Sequence, residues 1–305
     1  MSKLITVFGA TGVQGGSVIR AILNDATLSK EFKIRGVTRD TSKPAARELE
    51  AKGVEIVSAD ISSAEQVAPA VKDAHTVFLI TNFWEKMSED IEVAQGKAVT
   101  DASKAAGVKH LIFSSLLNTT EASDGRLPNI SHFVGKSRIE QYIRDSGVPA
   151  TFVLPGLYMS NMFTMIQKGD EGAYALAFPV SGEKAQVPLF DAASDTGKFV
   201  KAAIQNCPSY LGKRIYAATE YYTPARIAHE FSEVIGGPAS FVQIPAETFK
   251  SFLPAPIAQE MLENILLLED PGYYAGADLT ESLALLDEAP TSWKSFAARY
   301  KEKWL

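Results

Sequence analysis

Gly9, Gly12 and Gly15 stand three residues apart in FGATGVQGG, directly after an apolar, β-branched run and directly before a stretch of helical spacing. Bare backbone at a strand-to-helix junction suits one kind of chemistry, the holding of an anion. Gly9 permits a tight turn, Gly12 lets the main chain approach a diphosphate without an intervening Cβ, and Gly15 lets the helix lie close to the strand. The helix start adds unpaired N–H groups and partial positive charge. Arg39 follows 24 residues after Gly15, with Lys43 close behind. At that place an acidic residue would hydrogen-bond a ribose 2′-hydroxyl and repel a phosphate, whereas a guanidinium grips phosphate oxygens with forked donors. The pattern therefore favours NADP(H) over NAD(H). The competing reading of Arg39 is a solvated surface pair with Asp40.

Such groups need a frame, and strand-like runs alternating with helical ones supply it. Strands are predicted at Leu4–Phe8, Lys33–Val37, Glu55–Ser58, Thr76–Ile80, His110–Ser114 and Thr151–Leu154. Helices are predicted at Val13–Leu23, Ser42–Lys52, Ala64–Lys72, Ser88–Ala106 and Ser131–Ser146, with Gly53, Gly107 and Gly147 as stops. Nearly continuous apolar strands in this alternation imply a parallel sheet covered on both faces. Residues 1–155 thus read as an α/β, doubly wound Rossmann domain. After Pro155 the rhythm breaks, and residues 156–305 read as a smaller α+β region packed against the first, with some segments returning to it. It holds a helical piece at Tyr158–Gln167, strand-like runs near Ala173–Phe178 and Arg214–Ala218, and helices at Ser194–Gln205 and Pro224–Ile235. A last helix over Ser292–Leu305 places Trp293, Phe296, Tyr300 and Trp304 along one face, a stripe for docking on its own core rather than for a partner.

VFGATGVQGGSV, VTRD and LPGLYMSNM (Leu154–Met162) together resemble the NmrA-like group of atypical short-chain dehydrogenase/reductase relatives, over nearly the whole chain. That group includes fungal nitrogen-repression regulators and a human NADP(H)-sensing protein. The resemblance implies a Rossmann domain, a small C-terminal domain and a cleft between them. It also implies that Thr11, Gly12 and Gln14 lie along the pyrophosphate, Asp60 and Ile61 near the adenine, and Thr81 and Asn82 near the nicotinamide half. Ser114 or Ser115 would flank the nicotinamide, and Pro155 belongs to the same cofactor-binding set.

SHFVGKSRIEQYIRDSGVPATFV carries the departure that matters. Working short-chain dehydrogenases place Tyr and Lys four residues apart, the phenol giving a proton to the carbonyl while the lysine lowers its pKa and holds the nicotinamide ribose. Here His132 stands at the tyrosine position. Lys136 remains one helical turn away on the same face, suited to a hydrogen bond with the ribose or else to a salt bridge with Glu140. The His132 imidazole titrates near neutrality and suits proton donation, against a plain polar neighbour at a helix start. Tyr158 is a further catalytic candidate, against simple aromatic packing. Plant reductases similar to isoflavone reductase also lack the tyrosine and use the matching lysine in proton handling, so the missing phenol does not by itself remove activity.

Composition trims the remaining classes. With 305 residues, 46% of them hydrophobic and 22% charged, the chain is an ordinary globular mixture. Cys207 is the only cysteine, which points to a reducing compartment and to an inert thiol. No apolar run reaches the ~20 residues needed to cross a bilayer, so the expectation is no membrane and a cytoplasmic location, with the nucleus as the alternative. A net charge of −6 without a basic cluster argues against direct nucleic-acid binding. His75, His110, His132 and His229 are scattered without ligand spacing, and no metal is expected. No G-x-S-x-G turn surrounds Ser114 and Ser115, which argues against a hydrolase triad. Two readings survive: an NADP(H)-binding redox sensor acting through a protein partner, and an NADPH-dependent reductase of a small apolar, conjugated or aromatic carbonyl in a cleft beside Phe83, Trp84, Tyr158 and Met162.

Overall fold

The computed structural model describes residues 2–169 and 172–305. The first half alternates as expected: β1 (Lys3–Phe8), α1 (Val13–Asn24), β2 (Phe32–Thr38), α2 (Pro44–Ala51), β3 (Glu55–Ser58), α3 (Ala64–Val71), β4 (Thr76–Leu79), α4 (Glu89–Ala105), β5 (His110–Ser114), α5 (Ser131–Ser146) and β6 (Ala150–Pro155). The second half carries β7 (Leu157–Tyr158), β8 (Ile166–Lys168), β9 (Tyr174–Phe178), β10 (Val187–Phe190), α6 (Ala192–Gln205), β11 (Arg214–Ala217), β12 (Glu220–Tyr222), α7 (Pro224–Ile235), β13 (Ala239–Gln243), α8 (Ala255–Leu266) and α9 (Trp293–Arg299).

The main sheet has seven strands in the order β11-β6-β5-β4-β1-β2-β3, every neighbouring pair parallel. Its alternation sorts side chains onto two cores. Ile5, Val7, Phe78, Ile112 and Val153 face one core, under α1 and α6, while Phe8, Val77, Leu79, Leu111, Phe113, Phe152 and Leu154 face the other. Because both faces are covered, β4, β5 and β6 are buried at every position, which is why those runs read as continuously apolar. The order of strands reverses between β1 and β4, and in open parallel sheets the crevice outside that point is where ligands sit.

The region after β6 feeds both layers. β11 takes the outer place beside β6 in the main sheet, and α6 lies against α1, with the Ser17 hydroxyl accepting from the Gly197 N–H at 3.0 Å. The remaining strands form two small sheets, β12-β10-β7 and β13-β9-β8.

Two expectations need correction. Tyr158–Gln167 is not a helix: Leu157–Tyr158 pairs in parallel with β10, Met159–Asn161 is a 3-10 turn, Met162–Met165 a single helical turn, and Ile166–Lys168 pairs with β9. Ladder partners far away in the chain outweigh the local helical spacing. The last helix is also shorter than predicted, running Trp293–Arg299 with a 3-10 turn at Lys301–Lys303. The chain leaves the helix because Trp304 is fixed elsewhere: its carbonyl accepts from the Tyr174 hydroxyl at 2.8 Å and its indole N–H donates to the Met162 carbonyl at 3.2 Å. Trp293, Phe296 and Trp304 are buried against Phe163 and Phe231, so the aromatic stripe is core.

Candidate functional site

A cavity of about 1490 Å³ opens over the carboxyl ends of β1, β2, β4, β5 and β6. Gly9, Thr11, Gly12, Gln14, Gly15, Arg39, Lys43, Asp60, Ile61, Thr81, Asn82, Ser114, His132, Lys136, Pro155 and Tyr158 all border it. Single ligand sites run to roughly 300–1,000 Å³, so this space accommodates more than one small molecule.

One wall is the β1–α1 turn. Gly9 has φ +65°, which only glycine adopts without strain, and its carbonyl accepts from the Gly12 N–H at 2.8 Å. A Cβ on Gly15 would stand 2.2 Å from the Gly9 oxygen, so helix and strand meet with no room for a side chain. Gly12 is the N-cap of α1 and no side chain caps that end. The first-turn amides are therefore open toward the cavity, and the cradle fits a dinucleotide diphosphate.

At the β2 end, Arg39 is paired with the Glu85 carboxylate from the 3-10 turn after β4. The expected alternative partner, Asp40, instead accepts from the hydroxyl and N–H of Ser42 at 2.6 and 2.9 Å, and these bonds hold it below the usual carboxylate range. Asp60, beside Ile61, is likewise lowered, chiefly by the Ser62 N–H.

Deeper in, α4 and α5 cross so closely that a Cβ on Gly96 would stand 2.5 Å from Ile139. That approach delivers Glu92 to Lys136. The ammonium donates to Glu92 Oε1 at 2.8 Å and to the hydroxyl and carbonyl of Thr81 at 2.7 and 3.0 Å. Glu140, the partner the sequence suggested, turns away: it accepts from Ser115, Arg144 and Arg214 and ties α5 to β5 and β11. Four residues on a helix share a face, but Lys136 finds a better partner on the helix packed across it. Of the two serines, Ser114 borders the cavity and Ser115 is committed to Glu140.

His132 sits at the start of α5 with its ring 4.9 Å from Trp84 and 4.9 Å from Phe133, centroid to centroid. Its Nδ1–H donates to Glu260 of α8, and its backbone N–H donates to the same carboxylate oxygen at 3.0 Å. A carboxylate only accepts, so Nδ1 carries a proton and Nε2 is the nitrogen left to exchange one. Tyr158 receives a hydrogen bond from the Gln14 side-chain amide, and burial pushes its phenol above the ordinary range. Gln14 thus spends its side chain on positioning Tyr158. Tyr273 borders the same space and donates to the Pro155 carbonyl at 3.3 Å.

Beyond these groups the cavity continues into an apolar chamber walled by Met165, Phe178, Phe249, Ile257, Met261 and Tyr273. Met162, expected in the cleft wall, is fully buried beneath it, because the turn Met162–Met165 points Met165 outward in its place. Sequence reading missed Glu85, Glu92, Glu260 and Tyr273. Each lies far along the chain from the group it serves, and no local spacing marks it. Among the described residues no cluster of three or more His, Cys, Asp or Glu is placed to hold a metal ion, and no helix is long and apolar enough to cross a membrane.

Residues 1–297 match the model of the NmrA-like family. An NmrA-like family domain-containing oxidoreductase, ptmS, of Penicillium ochrochloron is 29% identical over 301 residues, covering 92% of this chain and 88% of the relative. Among solved structures, NmrA, a negative transcriptional regulator in complex with NADP, superposes with a TM-score of 0.82 at 22% identity, covering 98% of this chain and 95% of that one. Citrobacter sp. triphenylmethane reductase complexed with NADP(H) does so with a TM-score of 0.77 at 21% identity, over 97% and 99%. At these identities the likeness of the structures is one of fold.

Proposed function

The chain belongs to the NmrA-like family, and from that premise we propose that it is an NADP(H)-dependent oxidoreductase acting on a small apolar, conjugated or aromatic carbonyl. The observation that carries this is the continuity of the cavity: past the glycine turn it opens into an apolar chamber bordered by His132 and Tyr158. That second space is what a substrate bound beside the cofactor would need.

The open amides at Gly12 and the first turn of α1 would bind the diphosphate, with Gly9, Thr11 and Gly15 shaping the approach. Arg39 and Lys43 would take the 2′-phosphate, once Arg39 releases Glu85. Asp60 and Ile61 would border the adenine, and Thr81, Asn82, Ser114 and Pro155 the nicotinamide half. Reduced nicotinamide, when bound, supplies a hydride. Lys136, held by Glu92 and Thr81, is placed to steady the ribose. His132, its Nδ1–H held by Glu260, would take up a second proton from water at Nε2 and pass that proton to the substrate oxygen, returning to the neutral ring. Tyr158 is the alternative donor, although its raised pKa makes it the weaker acid.

The family's sister reading, a redox sensor working through a protein partner, is supported by the missing phenol and by the resemblance in fold to a transcriptional regulator. A sensor needs oxidised and reduced cofactor to favour different conformations. Single-turnover oxidation of bound NADPH against quinones, enals and aromatic ketones separates the two. The expected result is a substrate-dependent loss of NADPH that His132→Ala slows while NADPH still binds. A silent panel, together with partner recruitment that differs between NADP and NADPH, would reverse the conclusion. The lone cysteine suits a reducing compartment such as the cytoplasm.

A further inference from the structure

We infer that the 3-10 turn Phe83–Glu85 is a gate coupling the 2′-phosphate of NADP(H) to the His132 imidazole, which it covers until that phosphate arrives; this rests on the oxidoreductase reading above. Three successive side chains of the turn serve it. Glu85 is paired with Arg39 at the end of β2. The Trp84 ring lies 4.9 Å from His132 and the Phe83 ring 6.0 Å from the same imidazole, centroid to centroid. Arg39, the turn and His132 all border the one cavity. His132 is left 8% exposed while Trp84 keeps 44% of its surface open, so the indole is a cover held from one side and not a piece of the core.

The turn is closed on itself and so moves as one piece. The Phe83 carbonyl accepts from the N–H groups of Lys86 and Met87 at 3.2 and 2.7 Å. Met87 follows at φ +48°, a left-handed conformation that residues with side chains seldom adopt and that recurs in switch segments. A 2′-phosphate on Arg39 takes the guanidinium from Glu85 and sets a like charge beside the carboxylate. Among the described residues the Glu85 side chain has Arg39 as its one hydrogen-bond or ion-pair partner. The turn then relaxes away from β2 and carries the indole off the imidazole. NAD(H), with a bare 2′-hydroxyl, leaves the Arg39–Glu85 pair and the cover in place. Coenzyme choice thereby reaches the proton step as well as binding. The pair is largely exposed, and such pairs bias an equilibrium by no more than about fivefold, which sets the size of the effect.

The test is acylation of His132 by diethyl pyrocarbonate, followed by peptide mass spectrometry, with the exposed His229 as the reference in the same sample. Adenosine 2′,5′-bisphosphate fills the adenine half alone and cannot shield His132 directly; adenosine 5′-phosphate differs from it by the 2′-phosphate. The bisphosphate should speed acylation of His132 relative to His229 about two- to fivefold, and the monophosphate should leave it unchanged. Glu85→Gln should reach the faster rate without nucleotide and lose the response. Glu85→Ala provides the same comparison should the amide keep hold of Arg39. Equal His132 rates with the two nucleotides, a response that survives in both variants, or bisphosphate that gives no calorimetric binding would overturn the gate. None of these readouts uses hydride transfer, so a gate that fails here leaves the oxidoreductase reading to its own test.

Discussion

Lys136→Ala is the obvious probe of chemistry in this site, and the structure predicts that its first effect is on folding. The substitution removes the cation from beside Glu92, a carboxylate 1% exposed whose second oxygen already lacks a hydrogen-bond partner. What remains is a buried negative charge with the Thr81 hydroxyl as its donor. Breaking a buried pair from one side costs about 3–5 kcal/mol. Lys136 borders the cavity, and water entering there would offset part of that, which argues for the lower end, ~3 kcal/mol. For a chain of this size that corresponds to a fall of roughly 5 °C in Tm. Replacing both partners, Lys136→Met with Glu92→Gln, removes the charge from each side and keeps an acceptor for Thr81. That double variant should return to within about 1 kcal/mol of the parent. The assay is urea unfolding of cofactor-free protein, read as a midpoint shift at constant slope, beside calorimetric NADPH binding. If Lys136→Ala unfolds at the parental midpoint, the buried pair is not an anchor and the reasoning fails. If the double variant is stable yet binds or oxidises NADPH poorly, the loss belongs to the lysine's work at the ribose.

Three further outcomes are expected. Burial, with a smaller push from His75, drives His110 from 6.5 down to about 4, and its Nε2 meets the Thr151 hydroxyl at 2.9 Å. As pH falls the unfolded chain takes up this proton first, so the contribution is complete above about pH 6.5 and is lost on the way down to about 4, ~3 kcal/mol in all. His110→Gln should therefore show a flatter stability profile across that window, and parallel profiles would argue against a neutral buried imidazole. Arg39→Ala should weaken NADPH binding about 10- to 100-fold and NADH binding far less. Glu85→Gln should tighten NADPH a few-fold by freeing the guanidinium, a modest gain because the pair is largely exposed; identical changes for both coenzymes would remove Arg39 from the 2′-phosphate. Gly15→Ala places a methyl 2.2 Å from the Gly9 oxygen and 2.6 Å from its carbon, so β1 and α1 must part. It should cost about 1–3 kcal/mol and abolish NADPH binding, and normal binding by a stable variant would show the turn to be more forgiving than its geometry.

Local rules were enough for the Rossmann half of this protein. Apolar runs of strand length, helical spacing between them and glycines at the handover each arise from interactions within a few residues, so Gly9, Gly15 and the six leading strands are legible in order. A cation at the end of β2, Arg39, is legible too, since it depends on residue type at one strand end. Tertiary structure decided what those groups touch. Lys136 meets Glu92 rather than Glu140 because two helices cross at a glycine, and His132 gains a carboxylate from α8, 128 residues away. Arg39 answers to Glu85 rather than Asp40 because the loop after β4 folds over the end of β2. Tyr158–Gln167 turns from helix into strand, turn and strand because its partners are β10 and β9. Hydrogen-bond and ion-pair partners are chosen by proximity in space, and proximity between distant segments is a property of the packed layers, which no spacing along the chain encodes.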